Sequence, residues 1–267
     1  MSRLPSLFVS HGAPTFALEP GLAGPRLTAL GRSLPRPEAV LVVSPHWMTP
    51  SPRVGTAMQP ETIHDFGGFD PALYQIGYPA PGHAALAQRT VARLNEAGWS
   101  VQADERRGLD HGAWVPLMHL FPDADVPVFQ VSLPSPLDAE RAWAFGRALA
   151  PLAEEGVLIV GSGSLTHNLY EFRAGHGGEE AYVAAFADWV RDAAEQGDGA
   201  RLRRTLDDAP DARRAHPTTE HFWPLLVAAG AADTGAGTSP ARVIEGGIVH
   251  GMLAMDSYAF GMARTRQ

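Results

Sequence analysis

Cysteine is absent from the 267 residues, which excludes thiolate metal sites, disulfides and cysteine nucleophiles. The same absence fits a reducing compartment. Basic charge is also scarce: 21 Lys and Arg stand against 29 Asp and Glu, for a net charge of -8. A surface of that sign argues against a nucleic-acid or anionic-membrane partner, either of which needs a basic patch. Long hydrophobic runs are missing too. "AVLVV" at 39–43 falls far short of the ~20 apolar residues that cross a bilayer. The opening MSRLPSLFVSHGAP does not read as a secretory signal, because Pro5 cuts its apolar stretch and His11 ends it. The expectation is a cytoplasmic protein.

What is present is an ordinary apolar content of 45% and an unusual set of 11 histidines. The length admits one large domain or two small ones. No repeat, low-complexity tract or linker divides the chain, so residues 1–267 are read as a single domain. Short β-rich runs at 6–10, 39–44, 99–103, 126–133, 157–161 and 242–255 alternate with longer helical stretches at 82–98, 136–156 and 179–197. The first, second and fifth runs are almost wholly apolar, as strands covered on both faces are. This alternation predicts an α/β fold, a central mostly parallel or mixed sheet flanked by helices. The last run, with Gly246, Gly247 and Gly251, reads as a strand, an antiparallel edge hairpin or a bulged strand. Segments 48–81 and 198–219 look irregular, and loops of that length inside a compact domain are usually functional.

Three apolar runs end in histidine-bearing loops: "FVSHG" at His11, "VVSPHW" at His46 and "IVGSGSLTHN" at His167. Ligands of open α/β sheets sit beyond the carboxyl ends of the strands, so adjacent parallel strands would bring these imidazoles to one rim. A lone histidine of this kind is more often a cap or a buried, hydrogen-bonded residue. Three at equivalent positions point to a shared site. His221 in "HPTTEHFWPLL" follows a Pro217-Thr218-Thr219 helix start. His216 is read as solvated, and Glu220 and the more distant Glu245 are rivals to His221 as ligands. His111 follows Asp110, which suits either orienting an imidazole or capping a helix. His119 reads as a core or surface residue, and His83, His176 and His250 as structural.

Imidazole is the commonest metal ligand near neutral pH, and a histidine set suits zinc, iron or copper over magnesium or calcium. Three histidines match a catalytic zinc site, whereas two with a carboxylate match a non-haem iron triad. Spacing does not choose between them. "GSGSLTHN" lacks the Lys-Ser/Thr of a phosphate-binding loop, and its serines fall out of register for a nucleophile elbow.

Together "FVSHGAP", "SPHW", "IHDFGGFDPALYQIGYPAPG" (63–82), "RGLDHGAWVPL" (107–117), "GSGSLTHN" and "HPTTEHFWPLL" resemble the DOPA-dioxygenase-type branch of the class III extradiol ring-cleavage dioxygenases, in the LigB-like superfamily. The resemblance spans nearly the whole chain in the same order. It implies one α/β domain with a mononuclear metal held by His11, His46 and His221. It puts the acid/base histidine at His167, which in zinc-loaded relatives can approach the metal as a fourth ligand, and a supporting histidine at His111. Protocatechuate-cleaving relatives use a C-terminal glutamate as third ligand, where this sequence offers His221. The implied activity is the opening of a small catecholic ring, DOPA or a related acid, with O2 on Fe(II); Zn(II) suits the isolated protein. In the aromatic loop, Phe66, Phe69, Tyr74 and Tyr78 can wall a flat ring, with His64 or Asp65 meeting its polar substituent. The alternatives are a zinc hydrolase and a non-catalytic Memo-like binding module on the same scaffold. No motif bears on oligomeric state.

Overall fold

The computed structural model describes residues 3–174, 181–235 and 237–262. In chain order the first half comprises β1 (Ser6–Ser10), α1 (Ala23–Ser33), β2 (Ala39–Thr49), β3 (Arg53–Gly55), α2 (Ala84–Glu96), β4 (Gln102–Asp104), α3 (His111–Leu120) and β5 (Val128–Pro134). Then come α4 (Ala139–Leu149), β6 (Val157–Gly163), α5 (Leu169–Ala174), α6 (Ala181–Gln196), α7 (Gly199–Arg203), α8 (Thr205–Asp208) and α9 (Ala212–Ala215). The chain finishes through α10 (Trp223–Ala231), β7 (Ala241–Ile244), β8 (Ile248–Val249), β9 (Leu253–Ala254) and β10 (Ser257–Phe260).

Eight strands form one sheet in the order β4-β3-β5-β2-β6-β1-β10-β7. Its centre, β5-β2-β6-β1, is parallel, and antiparallel pairs join it to β3 on one side and to β10 and β7 on the other. β1 and β6 are buried along their whole length, so both faces must be covered. α10 packs with α4 on one face, while α3 and α1 pack together on the other. Apolar on all sides, α10 is buried throughout, as a helix between a sheet and another helix must be. Asp110 and Asp138 cap α3 and α4 through the backbone N–H groups of Ala113 and Arg141. The result is the expected single α/β domain with a mixed sheet. Among the described residues, no helix is long and apolar enough to cross a membrane.

Several sequence expectations need correction. β2 runs on to Thr49 with a register shift between Ser44 and Met48, so His46 sits on an irregular stretch inside a strand, not in a loop after it. The segment 48–81 contains β3 and a short 3-10 turn at Pro71–Gln75. The segment 198–219 contains three short helices, the first capped by Asp198. The run at 242–255 divides into β7 and the β8–β9 hairpin. β10 and α1 lay outside the sequence reading altogether. The helix after Pro217 starts at Trp223, where Pro224 occupies the first turn.

β6 and the start of α10 meet backbone to backbone. A Cβ on Gly161 or Gly163 would strike the carbonyls of Pro224 and His221. Neither carbonyl can swing aside without moving the helix. Gly163→Ala is therefore expected to cost ~1–3 kcal/mol, as overpacking does. Urea unfolding measures this, and an unchanged midpoint would contradict the close approach.

Candidate metal centre and active site

The parallel centre of the sheet carries three of the histidines to one rim. β1 and β2 both pair with β6, so His11 after β1, His46 near the end of β2 and His167 after β6 leave the same edge. Gly12 turns the chain sharply after His11 with φ 61°, a left-handed conformation that glycine adopts freely. His221 arrives from the segment before α10, held when the Ser164 N–H donates to its carbonyl at 3.0 Å. The Nε2 atoms of His11 and His46 lie 3.2 Å apart. One ring nitrogen each from His11, His46 and His221 falls within 4.8 Å of the others. His111 stands beside them, its ring centroid 4.0 Å from that of His46. His167 stacks on His221 at 3.4 Å.

Behind the cluster the outer nitrogens of His11, His46, His111 and His221 face oxygens. His221 Nδ1–H donates to Glu220 Oε1 at 3.0 Å. His111 donates to Asp65 Oδ1 from both its backbone N–H, at 2.9 Å, and its Nδ1, at 3.0 Å. Asp65 Oδ2 lies 3.6 Å from His46 Nδ1. His11 Nδ1 lies 2.9 Å from Ser162 Oγ. His167 Nδ1 is buried with no hydrogen-bond partner.

The imidazoles open onto a cavity of about 500 Å³, walled by Pro14, Phe66, Phe69, Leu169, Phe172 and Leu253, with Asp65 at its side. A larger open groove of about 710 Å³ lies between α1, α6 and the edge strand β7, and holds Arg26, Arg191 and Glu245 but none of the histidines. The five-imidazole cavity is where chemistry can concentrate.

The family profile described as the catalytic LigB subunit of aromatic ring-opening dioxygenase matches residues 25–261. The chain belongs to the LigB family. It is 41% identical over 259 residues to a 4,5-DOPA dioxygenase extradiol of Beta vulgaris, covering 96% of each chain. A protein of the same name from Escherichia coli K12 is 41% identical over 266 residues, covering 97% of this chain and 96% of its own. A solved E. coli structure, of the uncharacterized protein JW3007, superposes with a TM-score of 0.79 at 34% identity, covering 97% of this chain and all of that one.

Within this LigB-family chain the aromatic loop divides into two parts. Asp65, Phe66 and Phe69 line the cavity; His64, Tyr74 and Tyr78 do not. His64 Nε2 bonds the Ile76 carbonyl, and the Tyr74 hydroxyl donates to Phe66 O, so both brace the loop from behind. The Tyr78 hydroxyl donates to Phe121 O. Glu220 bonds His221 Nδ1 and also offers an oxygen within 4.8 Å of ring nitrogens of His167 and His221, while Glu245 is exposed and paired with Arg26. Asp110 binds Gln130 and Arg107 and caps α3; it orients no imidazole. His216, expected in solvent, is 4% exposed, and its Nε2–H donates to Leu165 O, pinning the loop that carries His167. His83 caps α2, and His119 bonds Phe16 O. His250 contacts Phe172, and His176 lies outside the described residues. The sequence reading passed over Ser162 and Gln130; the unexplained "GSGS" was the only signal for the first.

Burial first, and then neighbouring imidazoles, push His11 and His221 well below the ordinary histidine value. His46 falls to about 4 through burial and His111, against the pull of Asp110 and Asp65. Burial likewise takes His216 to about 4. Burial pushes the Asp65 carboxyl up, but the hydrogen bonds from His111 outweigh it and hold Asp65 at about 2. The cluster is therefore neutral imidazole beside fixed carboxylate. Because the folded values lie below the unfolded one, the unfolded chain takes up protons first as pH falls. Stability is complete above about pH 6.5 and is lost toward pH 4. Metal-free protein should lose on the order of a few kcal/mol of unfolding free energy between pH 7 and pH 5. A flat urea-unfolding profile across that range would contradict the neutral cluster.

Proposed function

We propose that the protein is a metal-dependent extradiol dioxygenase that opens the ring of a catechol with O2, using Fe(II) held by His11, His46 and His221. The observation that carries this reading is the 3.2 Å approach of two inward-facing Nε2 atoms. Two ligand nitrogens about 2.05 Å from one tetrahedral ion stand roughly 3.3 Å apart, so the spacing fits a shared cation. The carboxylate behind His221 strengthens the fit. By accepting the hydrogen bond from Nδ1–H, Glu220 keeps the proton on Nδ1 and leaves Nε2 as a lone pair, the arrangement metal-ligating histidines adopt. An all-imidazole set accommodates iron or zinc, and the dioxygen chemistry of the family selects iron, because zinc exchanges no electrons.

Bound there, Fe(II) supplies chelation of both hydroxyls of an ortho-diol beside dioxygen, together with the electron exchange that ring opening requires. The chain's own residues do the rest. Phe66, Phe69 and Phe172 offer apolar faces to a flat ring and keep bulk water from it. His167, stacked on His221 at the cavity wall, accepts the proton that the diol gives up on binding. Asp65 accepts the hydrogen bond from His111 Nδ1–H and so leaves the acceptor Nε2 of that ring toward the cavity as a second hydrogen-bonding partner for the substrate. DOPA-like catechols are the first substrates to examine, since relatives carry that name.

Protein loaded anaerobically with Fe(II) should consume oxygen and form a yellow ring-opened product with at least one member of a catechol panel. No uptake at full iron occupancy would overturn the reading, and oxygen-independent hydrolysis by the zinc form would move the site to the hydrolase alternative. His167→Ala should retain metal while turnover falls ~10²–10⁴-fold. Near-normal turnover in that variant reassigns the base.

A further inference from the structure

We propose that Ser162 is a positioning residue that fixes His11 as the Nδ1–H tautomer, turning the Nε2 lone pair of His11 into the cluster. The inference rests on the metal-site reading above for its consequence, though the tautomer itself is a property of the chain alone. His221 has a carboxylate behind its outer nitrogen, and His46 has one nearby; His11 has only a serine hydroxyl. A hydroxyl both donates and accepts, so by itself it would leave the tautomer open.

What closes the choice is the other partner of Ser162. Its Oγ–H donates to the carbonyl of Gly112, in the first turn of α3. In a regular α-helix that carbonyl would accept the N–H of the residue four positions on. That residue is Pro116, which has no N–H. The proline inside α3 thus leaves the Gly112 carbonyl without its helical donor, in a site where Gly112 and Ser162 are both buried. Ser162 supplies the missing donor and spends its one proton there. Only lone pairs remain on Oγ toward His11, so at 2.9 Å the imidazole Nδ1 must be the donor. The reverse arrangement would set a carbonyl lone pair against a hydroxyl lone pair in a dry interior.

The unexplained "GSGS" stretch acquires a two-faced logic from strand alternation. Gly161 and Gly163 turn to α10, where the bare backbone lets His221 approach. Ser162, between them, turns to the opposite face and reaches His11 and α3. One strand end therefore sets two of the three metal ligands, one by absence of a side chain and one by a hydroxyl.

The test reads the tautomer directly. Metal-free protein carrying ¹⁵N-histidine is examined by NMR, with the His11 signals assigned by their loss in His11→Gln. The expected result is a protonated Nδ1 and an unprotonated Nε2 on His11; a protonated Nε2 overturns the proposal. In Ser162→Ala the Nδ1–H preference should be lost, and affinity for Zn(II) and anaerobic Fe(II), read by chelator competition, should fall ~10–100-fold. Wild-type affinity in that variant also overturns the proposal. If Ser162→Ala does not fold, the wild-type spectrum decides alone. Nδ1–H on His11 in a protein that takes up neither ion upholds the role of Ser162 and defeats the metal reading, so the two failures are told apart.

Discussion

Nitrogen lone pairs brought together in a dry interior repel one another, and the site depends on how the chain compels three imidazoles to meet regardless. His11, His46 and His221 converge within 4.8 Å, while their outer nitrogens lie near Ser162, Asp65 and Glu220. Those oxygens draw ring protons outward. Burial keeps the rings neutral, so no charge accumulates to push them apart. The cluster is thus prepared for a cation that would satisfy all three lone pairs together.

The rest of the fold serves that convergence. Parallel pairing of β1 and β2 on either side of β6 is what brings His11 and His46 to the same rim. α10, apolar on every side, locks the His221 segment against the glycines of β6, and α3 closes the opposite face with His111 at its first position. Asp65 ties the aromatic loop to this frame by accepting two hydrogen bonds from His111. Loop and histidine cluster are consequently joined through Asp65, and Phe66 and Phe69 line the same cavity as the imidazoles.

Much of this was legible beforehand. The apolar runs ending at His11, His46 and His167 announced buried parallel strands with their histidines at one edge, because uniform apolarity and a shared exit position are both local properties. Irregularities were harder. The register shift that places His46 inside β2 depends on pairing with β5, which no window of residues reveals. His216 precedes a proline and looks solvated, yet its ring is covered by Phe186 and Phe222, which stand well away from it or after it in the chain. β10 escaped notice because it is four residues long and opens on Ser257 directly after Asp256; both are buried, Asp256 with Arg191 as partner. Ser162 was hard to read for the same reason: its meaning comes from the Gly112 carbonyl that Pro116 leaves without a helical donor, 50 residues away and in neither motif nor spacing.

The central claim is that one metal ion sits among three imidazoles at the rim of the sheet. Anomalous diffraction at the iron edge, from crystals grown anaerobically with Fe(II), tests it most directly. The account predicts a single strong peak within bonding distance of nitrogens from His11, His46 and His221. A peak elsewhere on the molecule, or none between these three rings in iron-replete crystals, would contradict it.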